Sequence, residues 1–90
     1  MNHLYVVELL GTLLLVMMDI LSGANGVIVG ATLGLLLLAS SRMHMMNMYN
    51  PAASIANLYR GVITKQQFIM YLAAQIVGAL FAVHAVKFLR

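Results

Sequence analysis

The sequence has 90 residues, of which 63% are hydrophobic and only 8% are charged. A soluble domain of this size keeps much of its surface in water and needs polar side chains to cover it. The mean hydropathy of +0.98 therefore argues against an ordinary soluble domain and predicts a membrane protein. Five Lys and Arg residues outnumber two acidic ones, but they form no basic run, so we expect no nucleic-acid partner.

The first predicted element is a membrane-spanning helix over residues 4–21. Its 18 residues carry only two charges, Glu8 and Asp19, and would extend about 27 Å at about 1.5 Å per residue. The uncharged segment 22–26 contains serine, asparagine and two glycines, which is typical of a tight turn. A second apolar run follows and predicts a second span over residues 26–43.

The last predicted span covers residues 67–86, an apolar stretch flanked by Lys65 and Lys87. Between the second and third spans, Asn50 and Pro51 predict the start of a short helix over residues 50–58, because asparagine is a good N-cap and proline suits the first helical position. So short a helix cannot cross a bilayer. It is either a re-entrant half-helix or an interfacial helix. The predicted fold is an all-α membrane protein in one unit, residues 1–90, with three transmembrane helices and one re-entrant half-helix.

Four motifs support the re-entrant alternative. They are Glu8-Leu-Leu-Gly-Thr12, Gly34-Leu35, Asn50-Pro51-Ala52 and Ala74-Gln-Ile-Val-Gly-Ala79. In this order and spacing they resemble the first half of the major intrinsic protein family, the aquaporins and aquaglyceroporins. Members of that family hold two such repeats in opposite orientations, and these 90 residues contain one.

The resemblance implies roles for particular residues. Asn50, Pro51 and Ala52 would lie at the pore end of the re-entrant helix, where Asn50 would offer hydrogen-bond donors to a passing oxygen. Glu8 would brace the re-entrant loop by accepting hydrogen bonds from its backbone. The alternative for Glu8 is an interfacial acid favoured by the helix dipole.

The sequence also departs from the family pattern. Ala53 follows the triplet, where the second repeat of the family has an arginine, and Arg60 lies about 12 Å further along a helix and cannot replace it. The four residues 45–48, Met-Met-Asn-Met, stand where the family commonly has Ser-Gly-Ala-His. Their bulky, flexible thioethers are expected to narrow or plug a pore.

Small and polar residues in the apolar runs predict helix packing. Gly11, Gly30, Gly34 and Gly78 would let helix backbones approach closely. Gln75 lies inside the third span, where an interhelical hydrogen bond is expected.

The remaining polar residues predict no chemistry. His84 is expected to make an interhelical hydrogen bond like Gln75, and Asp19 an interfacial or partner contact. His3, His44 and His84 lack the spacing of a metal site, and no serine has a basic partner pattern. We therefore expect no metal, no cofactor and no enzymatic activity.

Two functions remain open. The first is a half-channel that passes water or small neutral solutes as an inverted homo-oligomer. Copies could insert in both orientations, because basic residues are divided almost evenly between the two sides. They are Arg42, Arg60 and Lys65 on one side, and Lys87 and Arg90 on the other. The second is a structural subunit of a larger assembly, such as a respiratory or photosynthetic complex or a virion membrane. A proton-carrying ring subunit is disfavoured because Glu8 lies near the start of its helix. Either way the partners are the lipid bilayer and further copies or other membrane subunits, and the protein is integral and multi-pass.

Overall fold

The structure is a computed structural model that describes residues 2–89; Arg90, one of the flanking charges, lies outside this range. The described chain is all-helical, which confirms the predicted class. Its helices are α1 (Asn2–Leu21), α2 (Gly26–Arg42), α3 (Pro51–Tyr59) and α4 (Lys65–Leu89). Each begins within two residues, and ends within three, of the boundary predicted from the sequence.

Two of these helices are long and apolar enough to cross a membrane. The most apolar 18 consecutive residues within His3–Leu21 of α1 have a mean hydropathy of 2.1, and those within Lys65–Leu89 of α4 have a mean hydropathy of 1.9. Helix α2 has 17 residues, which is about 26 Å and shorter than a hydrocarbon core of about 30 Å. By length and composition, α1 and α4 are therefore the two candidate spans.

Helices α1 and α4 form the main pair, with α2 packed against α1 and α3 against α4. Gly78 lies where α4 crosses α1. A Cβ at Gly78 would meet the carbonyl oxygen of Leu9 and lie 3.2 Å from both Leu13 N and Thr12 Cβ. The absence of a side chain at Gly78 is therefore what lets the two backbones approach.

The four glycines predicted to pack do not behave alike. Gly11 is buried beneath the ring of Tyr49, and a Cβ there would collide with that ring. Gly30 and Gly34 are exposed on α2, and a Cβ at either would meet no atom within 4 Å. Gly30 and Gly34 therefore make no close helix contact within the described chain, because their side of α2 faces away from the other helices, and close packing there stays a prediction.

Buried apolar residues are few, and four of them form one core cluster. The core cluster contains Leu4, Met48, Ile63 and Tyr71, and the ring of Tyr5 meets that of Tyr71 edge-on with centroids 5.3 Å apart. Large apolar side chains instead cover much of the outer surface. They include Val27, Leu35, Ile69, Leu80 and Phe88. Such a surface needs lipid or other protein to cover it.

Candidate functional site at the start of the short helix

Helix α3 begins where it does because of Asn50 and Pro51. Asn50 has an extended backbone, and its side-chain Oδ1 accepts a hydrogen bond from Ala52 N at 2.8 Å. Pro51 occupies the first helical position, where no N–H is needed. Asn50, Pro51 and Ala52 are all exposed. The side-chain Nδ2 of Asn50 makes no hydrogen bond to another residue of the described range 2–89, so this donor remains available at the start of the helix.

The segment before α3 is held by a fully buried carboxylate. Glu8 Oε1 accepts hydrogen bonds from Asn47 Nδ2 and Met48 N, both at 3.0 Å. Glu8 Oε2 accepts from Tyr49 N at 2.5 Å and from Gln75 Nε2 at 2.9 Å. All four partners are donors, so an ionised carboxylate, which only accepts, matches them. Glu8 thus ties the chain leading into α3 to both α1 and α4.

Gln75 extends this network into α3. Its Nε2 also donates to the hydroxyl oxygen of Ser54 at 2.9 Å, and Ser54 is fully buried in the first turns of α3. Because only the NH₂ group of Gln75 can donate to the Glu8 carboxylate, its Oε1 must point elsewhere. Gln75 Oε1 is buried without a partner in the described chain, as is the hydroxyl of Thr12.

A groove of about 220 Å³ lies beside the start of α3. Its polar groups come from Thr12 and Gln75, whose unpartnered oxygens each need a hydrogen-bonding neighbour when buried. The lining residues are Thr12, Val16, Tyr49, Pro51, Gln75, Ile76 and Ala79.

Tyr49 is the structural residue that sequence reasoning missed. It is buried with its ring against Gly11, and its hydroxyl hydrogen-bonds to Ser40, which in turn donates to Leu36 O at 2.9 Å. Its backbone has a φ of 58°, a left-handed conformation that is rare for a bulky residue. Ser40 lies where the apolar run of α2 ends and is followed by Ser41 and Arg42, so the sequence gives no specific signal for this contact.

The other singled-out residues lie away from the start of α3. Asp19 is exposed near the end of α1, and Arg60 caps α3, where its guanidinium donates to Asn57 Oδ1 at 3.0 Å. His84 is exposed and makes no hydrogen bond to another described residue, unlike the interhelical bond expected for it. Met48 packs in the core cluster and Met45 against it, whereas Met46 is exposed.

No family model matches the chain, and no curated protein or solved structure is significantly similar to it.

Proposed function

We propose that the chain is one half of a membrane channel of the major intrinsic protein type. In this proposal α1, α2 and α4 cross the bilayer, and α3 enters from one side as a re-entrant half-helix. The observation that carries it is the start of α3: Asn50, Pro51 and Ala52 are exposed, while the segment behind them is fixed by the buried Glu8 carboxylate.

The hydrogen bonds of the segment before α3 support a position within the membrane. Irregular backbone is tolerated there only when its polar groups are satisfied by protein or by water in a cavity. Met46 O accepts from the hydroxyl of Tyr71 at 2.6 Å. Met48 N and Tyr49 N donate to Glu8, and Asn50 O accepts from Ser54 N at 3.1 Å. An interfacial helix reached by water would not need this buried carboxylate.

The outer surface and dimensions support a transmembrane position for the helices. The molecule is 41 Å long, close to the thickness of about 40–45 Å of a bilayer with its headgroups. Helix α2 exposes Val27, Leu35 and Leu38 along its length. Its shortness relative to the hydrocarbon core would be accommodated by local thinning of the bilayer.

The chemistry at the start of α3 suits a small neutral solute with an oxygen atom. The helix N-terminus carries a partial positive charge, which repels cations, and Asn50 adds an NH₂ donor. Ala53 supplies no charge next to the triplet, so this half of the proposed channel has no arginine there to discriminate between solutes. Water and small neutral hydroxylic molecules are therefore the proposed permeants.

A second copy in the opposite orientation would complete the pore. In a single copy, the start of α3 and the groove beside it face outward, and an unsatisfied polar group in lipid costs several kcal/mol. An inverted copy would cover this face, much as inverted repeats meet near the midplane of transporters. The nearly even division of basic residues between the two sides is compatible with insertion in both orientations.

Water permeability of proteoliposomes tests the proposal. Fusions that lock the chain in one orientation or the other are reconstituted separately and as a mixture, and shrinkage is followed by stopped-flow light scattering. We expect faster water flux from the mixture than from either locked form. Equal flux from one orientation alone would refute the inverted pair. No flux from any preparation would favour the alternative function, a structural membrane subunit.

Two asparagine variants separate permeation from folding. Asn50 and Asn25 are both helix N-caps, since Asn25 Oδ1 accepts from Val27 N and Ile28 N, and losing either cap costs about 1 kcal/mol. Asn50→Ala is expected to reduce flux through the mixed population, whereas Asn25→Ala is expected to leave it unchanged. Equal effects would assign Asn50 a capping role only.

A further inference from the structure

The exposed side chains of the methionine-rich segment that joins α2 to α3 have no part in the proposed channel. Of the eight methionines in the chain, Met43, Met45, Met46 and Met48 fall within six residues, together with His44. Five of the six side chains from position 43 to 48 are therefore thioethers or an imidazole. These groups are soft or borderline metal ligands.

The structure divides these five side chains into two sets. Met48 is buried in the core cluster, and Met45 packs against that cluster. Met43 and Met46 are 50% and 45% exposed, and His44 is exposed as well. None of the three exposed side chains hydrogen-bonds to another residue of the part of the chain that the structure describes.

The backbone brings the exposed set together at the end of α2. His44 N donates to Ser41 O at 3.1 Å and Met45 N to Ser40 O at 2.9 Å, so the chain folds back over the last turn of the helix. His44 sits at this reversal with a left-handed φ of 59°. Met43 precedes it directly and Met46 follows two positions later, and the flexible side chains of these two methionines can adapt to a shared ligand.

The available ligands favour one class of ion. Thioethers select Cu(I), whereas calcium and magnesium require several oxygen ligands. Glu8 is already occupied by four donors, and Asp19 lies at the other end of α1. Within residues 2–89 no three His, Asp or Glu side chains are grouped to hold a metal. The partial negative charge at the C-terminal end of α2 also favours a cation here, and it partly offsets the repulsion between that cation and Arg42.

We propose that Met43, His44 and Met46 bind one Cu(I) ion through two thioether sulfurs and one imidazole nitrogen. The ligand set is neutral, which suits a monovalent ion, and no electron transfer is involved. The site lies outside α3 and does not depend on whether the chain conducts water.

Competition for Cu(I) tests this site. The full chain in detergent, without a histidine tag, is titrated anaerobically with Cu(I) against bicinchoninate, and its helix content is checked by circular dichroism. We expect the protein to withdraw one equivalent of Cu(I) from the chelator. Met43→Leu with Met46→Leu, and His44→Gln separately, are each expected to weaken binding by about tenfold or more.

Met70 provides a matched control, because it is 45% exposed on α4, the same fraction as Met46. Met70→Leu is expected to leave Cu(I) affinity unchanged, and X-ray absorption of the wild-type complex is expected to show sulfur in the first coordination shell. The proposal is overturned if the double methionine variant binds as tightly as the wild type, if Met70→Leu weakens binding equally, or if the bound copper has only nitrogen and oxygen neighbours.

Discussion

Replacing Glu8 by glutamine tests whether its carboxylate braces the segment before α3. The variant keeps the shape of the side chain but turns one oxygen into an NH₂ donor. In the wild type each oxygen of Glu8 accepts two hydrogen bonds. Whichever oxygen the new NH₂ group replaces, it therefore faces two donors and can accept from neither. The isosteric change should therefore destabilise the fold without creating a cavity.

The magnitude follows from the bonds that remain. If the NH₂ replaces Oε1, Met48 N loses its acceptor, while Asn47 Nδ2 keeps Leu4 O at 3.0 Å. If it replaces Oε2, Tyr49 N loses its acceptor, while Gln75 Nε2 keeps Ser54. Either way one buried backbone N–H is left without an acceptor, which should lower the free energy of unfolding by about 1–3 kcal/mol. Glu8→Ala leaves both Met48 N and Tyr49 N without an acceptor, so a loss of about 2–6 kcal/mol in the free energy of unfolding is expected for that variant.

Reversible unfolding in mixed detergent micelles, followed by circular dichroism, measures these differences. Asp19→Asn is the control, because Asp19 is the only other acidic residue and is exposed; its effect should stay within about 0.5 kcal/mol. If Glu8→Gln also stays within that range, or if both acids respond alike, the bracing role of Glu8 is wrong.

Two further comparisons use the same unfolding measurement. Gly78→Ala should cost about 1–3 kcal/mol because its Cβ meets α1, whereas Gly34→Ala should be neutral or stabilising by up to about 1 kcal/mol; the reverse order would contradict the packing described. Ser40→Ala should cost about 1–2 kcal/mol by leaving the Tyr49 hydroxyl unpaired, with exposed Ser41→Ala near neutral.

The helix boundaries were predictable because their signals are local. Asn25 with Gly26 and Asn50 with Pro51 mark helix starts through capping chemistry that involves only neighbouring residues. Glycine packing was not predictable in the same way. Gly34 and Gly78 are both glycines within apolar helices, but only the fold decides which helix face meets a neighbour.

The contacts of the site show a similar division. A buried acid in an apolar helix indicates that Glu8 needs donors, and the family resemblance suggested the loop that supplies them. The contacts of Tyr49 with Gly11 and Ser40 join distant parts of the chain and leave no periodic pattern. Such a contact depends on how α1, α2 and the loop come together in space, and no local pattern in a single sequence reveals that arrangement.

The depth of α3 in the bilayer is the most direct test of the central claim. The chain has no cysteine, so single cysteines at Ala52, Tyr59 and Lys65 can be spin-labelled, and depth can be measured from the accessibility of each label to oxygen and to a nickel chelate. A re-entrant α3 places Ala52 deepest, about 10 Å below Tyr59 for seven residues of helix, with Lys65 at the interface. If Ala52, Tyr59 and Lys65 all lie at the same interfacial depth, α3 rests on the membrane surface and the re-entrant channel account is contradicted.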